Sequence, residues 1–259
     1  MLRKAYPILA FFIHWLKKED GYSLQSPFLF KIYQSLKAFL IDKKQSDLEI
    51  EDFRQELLAS QKIIEVLDLG AGSKKVNTQE RKISDITRYS TSSRKFCQLF
   101  QFFCSKTPSQ NVFELGTCMG ISTRYLSKVV KGDLFTFEGS ESIQQIAQTN
   151  FQGNNTHFLL GDIKDTLPYQ LEKIQQLDFA LIDANHTYDG TLFAFSELKK
   201  KSYSKTIIII GDIHWSSEMN KAWEEIKRDP SITLSLDFYE CGVLFFASPG
   251  EKSHYLLSF

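Results

Sequence analysis

The chain has 259 residues, 42% hydrophobic and 24% charged, and its 31 Lys+Arg cancel its 31 Asp+Glu. This is the composition of a soluble globular protein with room for one large α/β domain and an appendage, and only 13 Gly and 6 Pro exclude collagen-like, disordered or linker-dominated architectures. A neutral chain offers no basic field to hold duplex nucleic acid, so no nucleic-acid partner is expected.

Cys97, Cys104, Cys118 and Cys241 are scattered and form no CxxC pair, which argues against a disulfide framework and a zinc site and for reduced thiols in a cytoplasmic protein. The longest apolar stretch, residues 5–16, is interrupted by Pro7 and His14 and falls short of the roughly 20 residues that cross a bilayer. Arg3 and Lys4 imitate the start of a signal peptide, but Lys17-Lys18-Glu19-Asp20 stands where a cleavage site would be. Neither a membrane span nor a membrane partner is expected.

From Pro7 to about Ser60 the pattern is helical. Ile8, Phe11, Phe12, Trp15 and Leu16 recur at helical spacing, Ser26-Pro27 marks the start of a helix over 28–40, and 47–60 forms a more charged third helix. Residues 63–69 read as a short strand entering Gly70-Ala71-Gly72-Ser73, and 74–89 as a loop with one helical turn. An amphipathic helix over 92–105 follows. After Pro108 strands at 111–116, 133–138, 156–161, 177–183 and 205–211 alternate with helices at 120–131, 141–152, 163–175, 188–202 and 216–228, and strands at 233–237 and 243–247 close the chain as a hairpin. Parallel neighbours need crossover connections, so the pattern implies an α/β fold: a Rossmann-like, doubly wound, seven-stranded, mostly parallel sheet with an antiparallel edge hairpin. A helical cap with a substrate-side loop (1–107) would precede the main domain (108–259). The hairpin or the apolar first helix offers a surface for pairing two chains.

Ligands of such sheets sit beyond the carboxyl ends of the strands. Strand one runs Glu114-Leu115-Gly116 into a turn ending at Gly120, with Ser122 at the start of the next helix. There Gly116 permits a tight turn, Gly120 lets a ligand approach, and free N–H groups can hold a carboxylate. Strand two ends at Glu138, placed to accept both hydrogen bonds of a ribose diol. Strand three ends at Gly161-Asp162, an acid suited equally to an adenine amine or a helix N-cap. Strands four and five end at Asp183-Ala184-Asn185-His186 and Gly211-Asp212-Ile213-His214.

These ordered motifs resemble the signature positions of class I S-adenosylmethionine-dependent methyltransferases, and the run from Leu177 to Tyr188 resembles the catechol-type small-molecule O-methyltransferase branch. The resemblance implies S-adenosylmethionine as cofactor, methyl transfer to a small-molecule acceptor at oxygen, Gly116 and Gly120 beside the methionine moiety, Glu138 on the ribose, Asp162 at the adenine and Asp183 near the transferred methyl. The branch's metal would fall to Asp183 and Asp212, but Ile213 stands where an oxygen ligand is expected, which argues against Mg²⁺ or Ca²⁺. His186 occupies the position of the branch's catalytic lysine. An imidazole there, or His214, can take the acceptor's proton near pH 7.

Three rival readings stand beside this one. The turn at 68–73 imitates a cofactor loop, yet no acid-terminated strand follows it, which makes it instead a loop at the mouth of the site, with Ser73, Lys74 or Arg81 near substrate. Gly161-Asp162, Asn185-His186 and Asp212-Ile213-His214 echo the pieces of a metal-dependent phosphoesterase, in the wrong order for that family. A catalytically silent methyltransferase-like binding module is the third.

Overall fold

A computed structural model describes residues 2–67 and 79–259, the first four of them by backbone alone. The glycine turn at 68–73 and Lys74 lie outside the described residues. Three helices open the chain: α1 (Leu2–Lys17), α2 (Pro27–Asp42) and α3 (Leu48–Ala59). The Ser26 side chain accepts from the Leu29 N–H at the start of α2, where Pro27 loses no needed donor. α1 begins before Pro7 rather than at it, because the donor that proline lacks falls close to the helix start, where few intrahelical bonds are at stake.

β1 (Ile63–Glu65) pairs antiparallel with β2 (Glu80–Lys82), and α4 (Ile83–Ser90) follows at once. The predicted loop over 74–89 thus ends in a strand and a two-turn helix. Its apolar face is only Ile83 and Ile86, too short a repeat to stand out, and the pair gains its stability by packing with Ile50, Leu57 and Ile64.

The remaining helices are α5 (Arg94–Ser105), α6 (Ile121–Ser127), α7 (Glu141–Gln148), α8 (Ile163–Glu172), α9 (Tyr188–Lys199) and α10 (Ser217–Arg228). They surround an eight-stranded sheet made of β3 (Asn111–Leu115), β4 (Asp133–Glu138), β5 (Thr156–Leu160), β6 (Leu177–Ile182), β7 (Ser202–Gly211), β8 (Leu234–Asp237), β9 (Cys241–Phe245) and β10 (Ser253–Leu256). The spatial order is β10-β8-β9-β7-β6-β3-β4-β5, parallel from β7 to β5, with β9 antiparallel to both β7 and β8. The Rossmann-like doubly wound expectation holds, with one strand more than the seven predicted. β10 pairs parallel to β8, so the β8–β9 hairpin does not form the edge. No local pattern announces β10, since its partner is fixed by a long-range contact.

Both faces of the sheet are buried. On one, Phe100, Phe102 and Phe103 of α5 lie among Leu29, Tyr33 and Leu36 of α2 and strand residues Val112, Phe179 and Ile207. On the other, Leu167, Leu198 and Trp223 from α8 to α10 cover Phe113, Ala180 and Ile208. The fully buried Trp223 ring rests on bare β9 backbone at Gly242, where an added Cβ would stand 2.5 Å from the ring. Gly242→Ala is therefore expected to cost about 1–3 kcal/mol by overpacking. A shift in the urea midpoint measures this, and an unchanged midpoint would refute the close contact.

Candidate active site

The chain leaves β3 for β4 and β5 on one side and returns to β6 and β7 on the other, so strand order reverses between β3 and β6. Beyond the carboxyl ends of these strands lies a cleft of about 590 Å³. A ligand crevice is expected at such a switch point, and the volume falls within the usual range for small-molecule sites.

Gly116, at φ +103°, turns the chain out of β3, and a Cβ there would stand 2.4 Å from the Asp183 carbonyl oxygen. Glu138 closes β4 with its carboxylate held by two backbone donors, Cys118 N–H to Oε2 at 2.9 Å and Ser140 N–H to Oε1 at 3.0 Å. Asp162 caps α8, accepting from the Lys164 N–H at 2.9 Å, and also lines the cleft, so its two readings coexist.

Across the cleft, donor atoms of Asp183, His186 and Asp212 all lie within 4.8 Å of one another. His186 Nε2 is 3.7 Å from Asp212 Oδ2, and Ser92 Oγ is 3.5 Å from Asp183 Oδ2. Burial, with the Asp212 charge adding to it and His186 opposing it, pushes the Asp183 carboxyl up to about 6. Cys118, Asn185, His186 and Asp212 all line the cleft with φ between 38° and 63°. Left-handed backbone at four non-glycine residues costs free energy that the surrounding fold must supply, and such residues concentrate at functional sites.

Three of the predicted site residues, Gly120, Glu114 and His214, stand outside the lining of the cleft, and Ser122 lies at its side. Gly120 lies outside the lining of the cleft; its missing side chain makes room for Ala147 of α7, which a Cβ would meet at 2.9 Å. Glu114 is fully buried behind the turn, where its Oε2 accepts from Thr123 Oγ1 at 2.5 Å and Thr136 Oγ1 at 2.7 Å. Ser122 bonds toward that same carboxyl and also lines a small pocket beside the cleft together with Gly116, Cys118 and Asp183. His214 is absent from the lining: its Nε2 is 2.8 Å from Asp237 Oδ2 and its ring stacks on Tyr239. His186, not His214, joins Asp183 and Asp212, and the phosphoesterase reading loses the histidine it required.

Sequence reasoning missed Gly211 and Glu240. A Cβ at Gly211 would stand 2.1 Å from Asp183 Oδ1, and Glu240, from the β8–β9 turn, lines the cleft with a carboxyl pushed up by burial. Neither has a local signal beyond its place at or just past the end of a strand. Ile86, Tyr89, Thr91, Phe96, Phe100 and Trp215 supply the mixed apolar and hydroxyl wall. Arg81, from β2, lines the cleft as well.

Residues 113–213 match the model of a family described as a methyltransferase domain. The matched stretch runs from β3 to the turn after β7, and it is this part of the chain that is similar to a methyltransferase domain. Among solved structures, an SAH-bound methyltransferase of Podospora anserina, PaMTH1, aligns with TM-score 0.58 at 15% identity, over 87% of this chain and 100% of its own. An O-methyltransferase from Bacillus cereus in complex with SAH aligns with TM-score 0.57 at 17% identity, over 83% and 99%. The O-methyltransferase TomG of Streptomyces achromogenes, involved in tomaymycin synthesis and solved with SAM, aligns with TM-score 0.51 at 15% identity, over 61% and 82%. No curated protein matches the chain in sequence.

Burial raises the Glu114 carboxyl to about 7 against the hydroxyl donors of Ser122, Thr123 and Thr136. A carboxyl raised on folding contributes stability that is fully present below its unfolded value of about 4.5 and is lost as pH rises toward 7. Relative to Glu114→Gln, the wild type is expected to lose up to about 3 kcal/mol across that window and to level off above it. Denaturant titrations of both proteins from pH 4 to 8 test this, and parallel pH profiles would disprove the shift.

Proposed function

We propose that this protein transfers the methyl group of S-adenosylmethionine to a hydroxyl oxygen of a small molecule. One observation carries the reading: a single cleft at the switch point holds the backbone-clamped Glu138 carboxylate and the Asp183–His186–Asp212 group together. The matched family and the SAM- or SAH-bound structures of the same fold support it.

With each oxygen of Glu138 bonded to a backbone N–H, the carboxylate keeps a fixed orientation in which it can accept from a ribose diol. Gly116 brings bare backbone to the methionine moiety, and Asp162 closes the adenine side. When bound, the cofactor supplies an electrophilic methyl on a sulfonium, whose S–C electrons return to sulfur as the new O–C bond forms. His186 takes the hydroxyl proton of the acceptor, and Asp212 beside it stabilises the imidazolium that results. Residues 1–107 complete the acceptor side through Tyr89, Phe96 and Phe100. Holding the acceptor in line with the methyl is worth about 7–11 kcal/mol in well-oriented systems, so positioning carries most of the rate.

The donor set at Asp183, His186 and Asp212 mixes two carboxylates with an imidazole, which suits a borderline divalent ion better than Mg²⁺. With such an ion bound, His186 would be a ligand rather than the base, and the ion would orient the acceptor hydroxyl and make it more acidic.

Glu138→Ala is expected to weaken SAH binding at least about tenfold by calorimetry, the scale of a lost charge-assisted pair, while the circular dichroism spectrum is unchanged. Equal affinity would overturn the ribose assignment. His186→Ala should lower turnover about 10²–10⁴-fold, followed as SAH release across a panel of phenolic acceptors, with SAH affinity unaltered. Wild-type turnover in that variant would remove His186 as the base.

A further inference from the structure

α1 turns its apolar side away from the protein. Ala10 and His14 face the body, while Ile8, Leu9, Phe12, Ile13, Trp15 and Leu16 are 43–73% exposed. At helical spacing these six cover an arc of about 160° without a polar residue among them. They expose on the order of 700–800 Å² of apolar surface, more than the roughly 300–600 Å² of the largest patch on an ordinary monomer.

The helix is held in this orientation from beneath. His14 Nε2 lies 3.1 Å from the Asp237 carbonyl oxygen and 3.3 Å from its Oδ1, Tyr239 Oη donates to the Pro7 carbonyl at 2.6 Å, and the Phe11 ring meets Tyr239 edge-on. Rolling the apolar arc inward would break all of these contacts. The patch is therefore a permanent outer surface.

Charge narrows what can cover it. Residues 2–18 contain Arg3, Lys4, Lys17 and Lys18 and no acid, in a chain whose net charge is zero. Lys17 and Lys18 are exposed at the end of the arc. Of the two acids that follow, Glu19 is half-buried, and the Asp20 carboxylate accepts from the Tyr22 and Ser23 N–H groups of its own turn. A second copy laid on this helix, parallel or antiparallel, would set cationic ends against cationic ends. An anionic lipid surface complements both the cations and the wide arc, and a stretch too short to cross a bilayer is long enough to lie on one.

We propose that α1 is an interfacial helix that lies flat on an anionic bilayer, with Ile8, Phe12, Trp15 and Leu16 in the acyl boundary and Lys17 and Lys18 at the headgroups. The β8–β9 turn that holds α1 through Tyr239 also contributes Glu240 to the cleft. The helix therefore sets the carboxyl edge of the sheet, with its cleft, at the membrane surface.

Sedimentation of the full chain with mixed phosphatidylcholine–phosphatidylglycerol vesicles tests this. Wild type is expected to pellet with mixed vesicles and far less with pure phosphatidylcholine, losing about fivefold in partitioning for each of Lys17 and Lys18 changed to Ala. Ile8→Glu/Phe12→Glu/Leu16→Glu should stay in the supernatant with SAH affinity and circular dichroism spectrum unchanged. The proposal fails if wild type does not pellet, if the triple variant pellets equally, or if the lysine changes have no effect. It fails too if light scattering shows a dimer that the triple variant breaks while vesicles go unbound, which would assign the face to a second copy.

Discussion

Asp183 sits at the end of the central strand β6 between two glycines, Gly116 from β3 on one side and Gly211 from β7 on the other. A side chain at either would collide with it, with the Asp183 carbonyl in the first case and its carboxylate in the second. The Asp183 N–H also donates to the Leu115 carbonyl at 2.8 Å, which locks the strand ends in step. Because both neighbours yield space, a carboxylate stands at the floor of the cleft where the strand order reverses. Its raised pKa, its contact with Ser92 and its closeness to His186 follow from that position. The left-handed backbone at Asn185, His186 and Asp212 belongs to the same arrangement, since it carries the chain sharply off the strands while keeping the side chains over the cleft.

A second polar centre shares the carboxyl edge but serves the fold. Asp237, buried at the end of β8, receives His14 from α1, His214 from the loop after β7, the Trp223 Nε1–H from α10 and the Tyr239 backbone N–H. Those donors hold its carboxyl well below the usual range despite burial, and the centre ties the first helix to the far half of the sheet. Two histidines separated by 200 residues are thereby committed to structure. Of the pair flanking the ends of β6 and β7, only His186 remains for chemistry.

The alternation of strands and helices after Pro108 was legible because each strand is a short β-branched or aromatic run punctuated by glycine or a polar turn. The end-of-strand acids were legible for the same reason, and Glu138, Asp162, Asp183 and His186 all reached the cleft. Gly120 and Glu114 were misplaced because a motif gives the order of its residues along the chain and not the direction each one faces. Gly120 gives way to a helix, and Glu114 points into the protein.

Local pattern thus determined the class of fold, the parallel order of the motifs and the set of acids at one edge of the sheet. Each of these depends on periodicity or on distance along the chain. Tertiary structure decided that β10 covers β8, that His214 turns to Asp237 while His186 turns to Asp212, and that the apolar arc of α1 faces outward. Those outcomes depend on which surfaces meet across long separations in sequence, where neither hydrophobic spacing nor residue type specifies a partner.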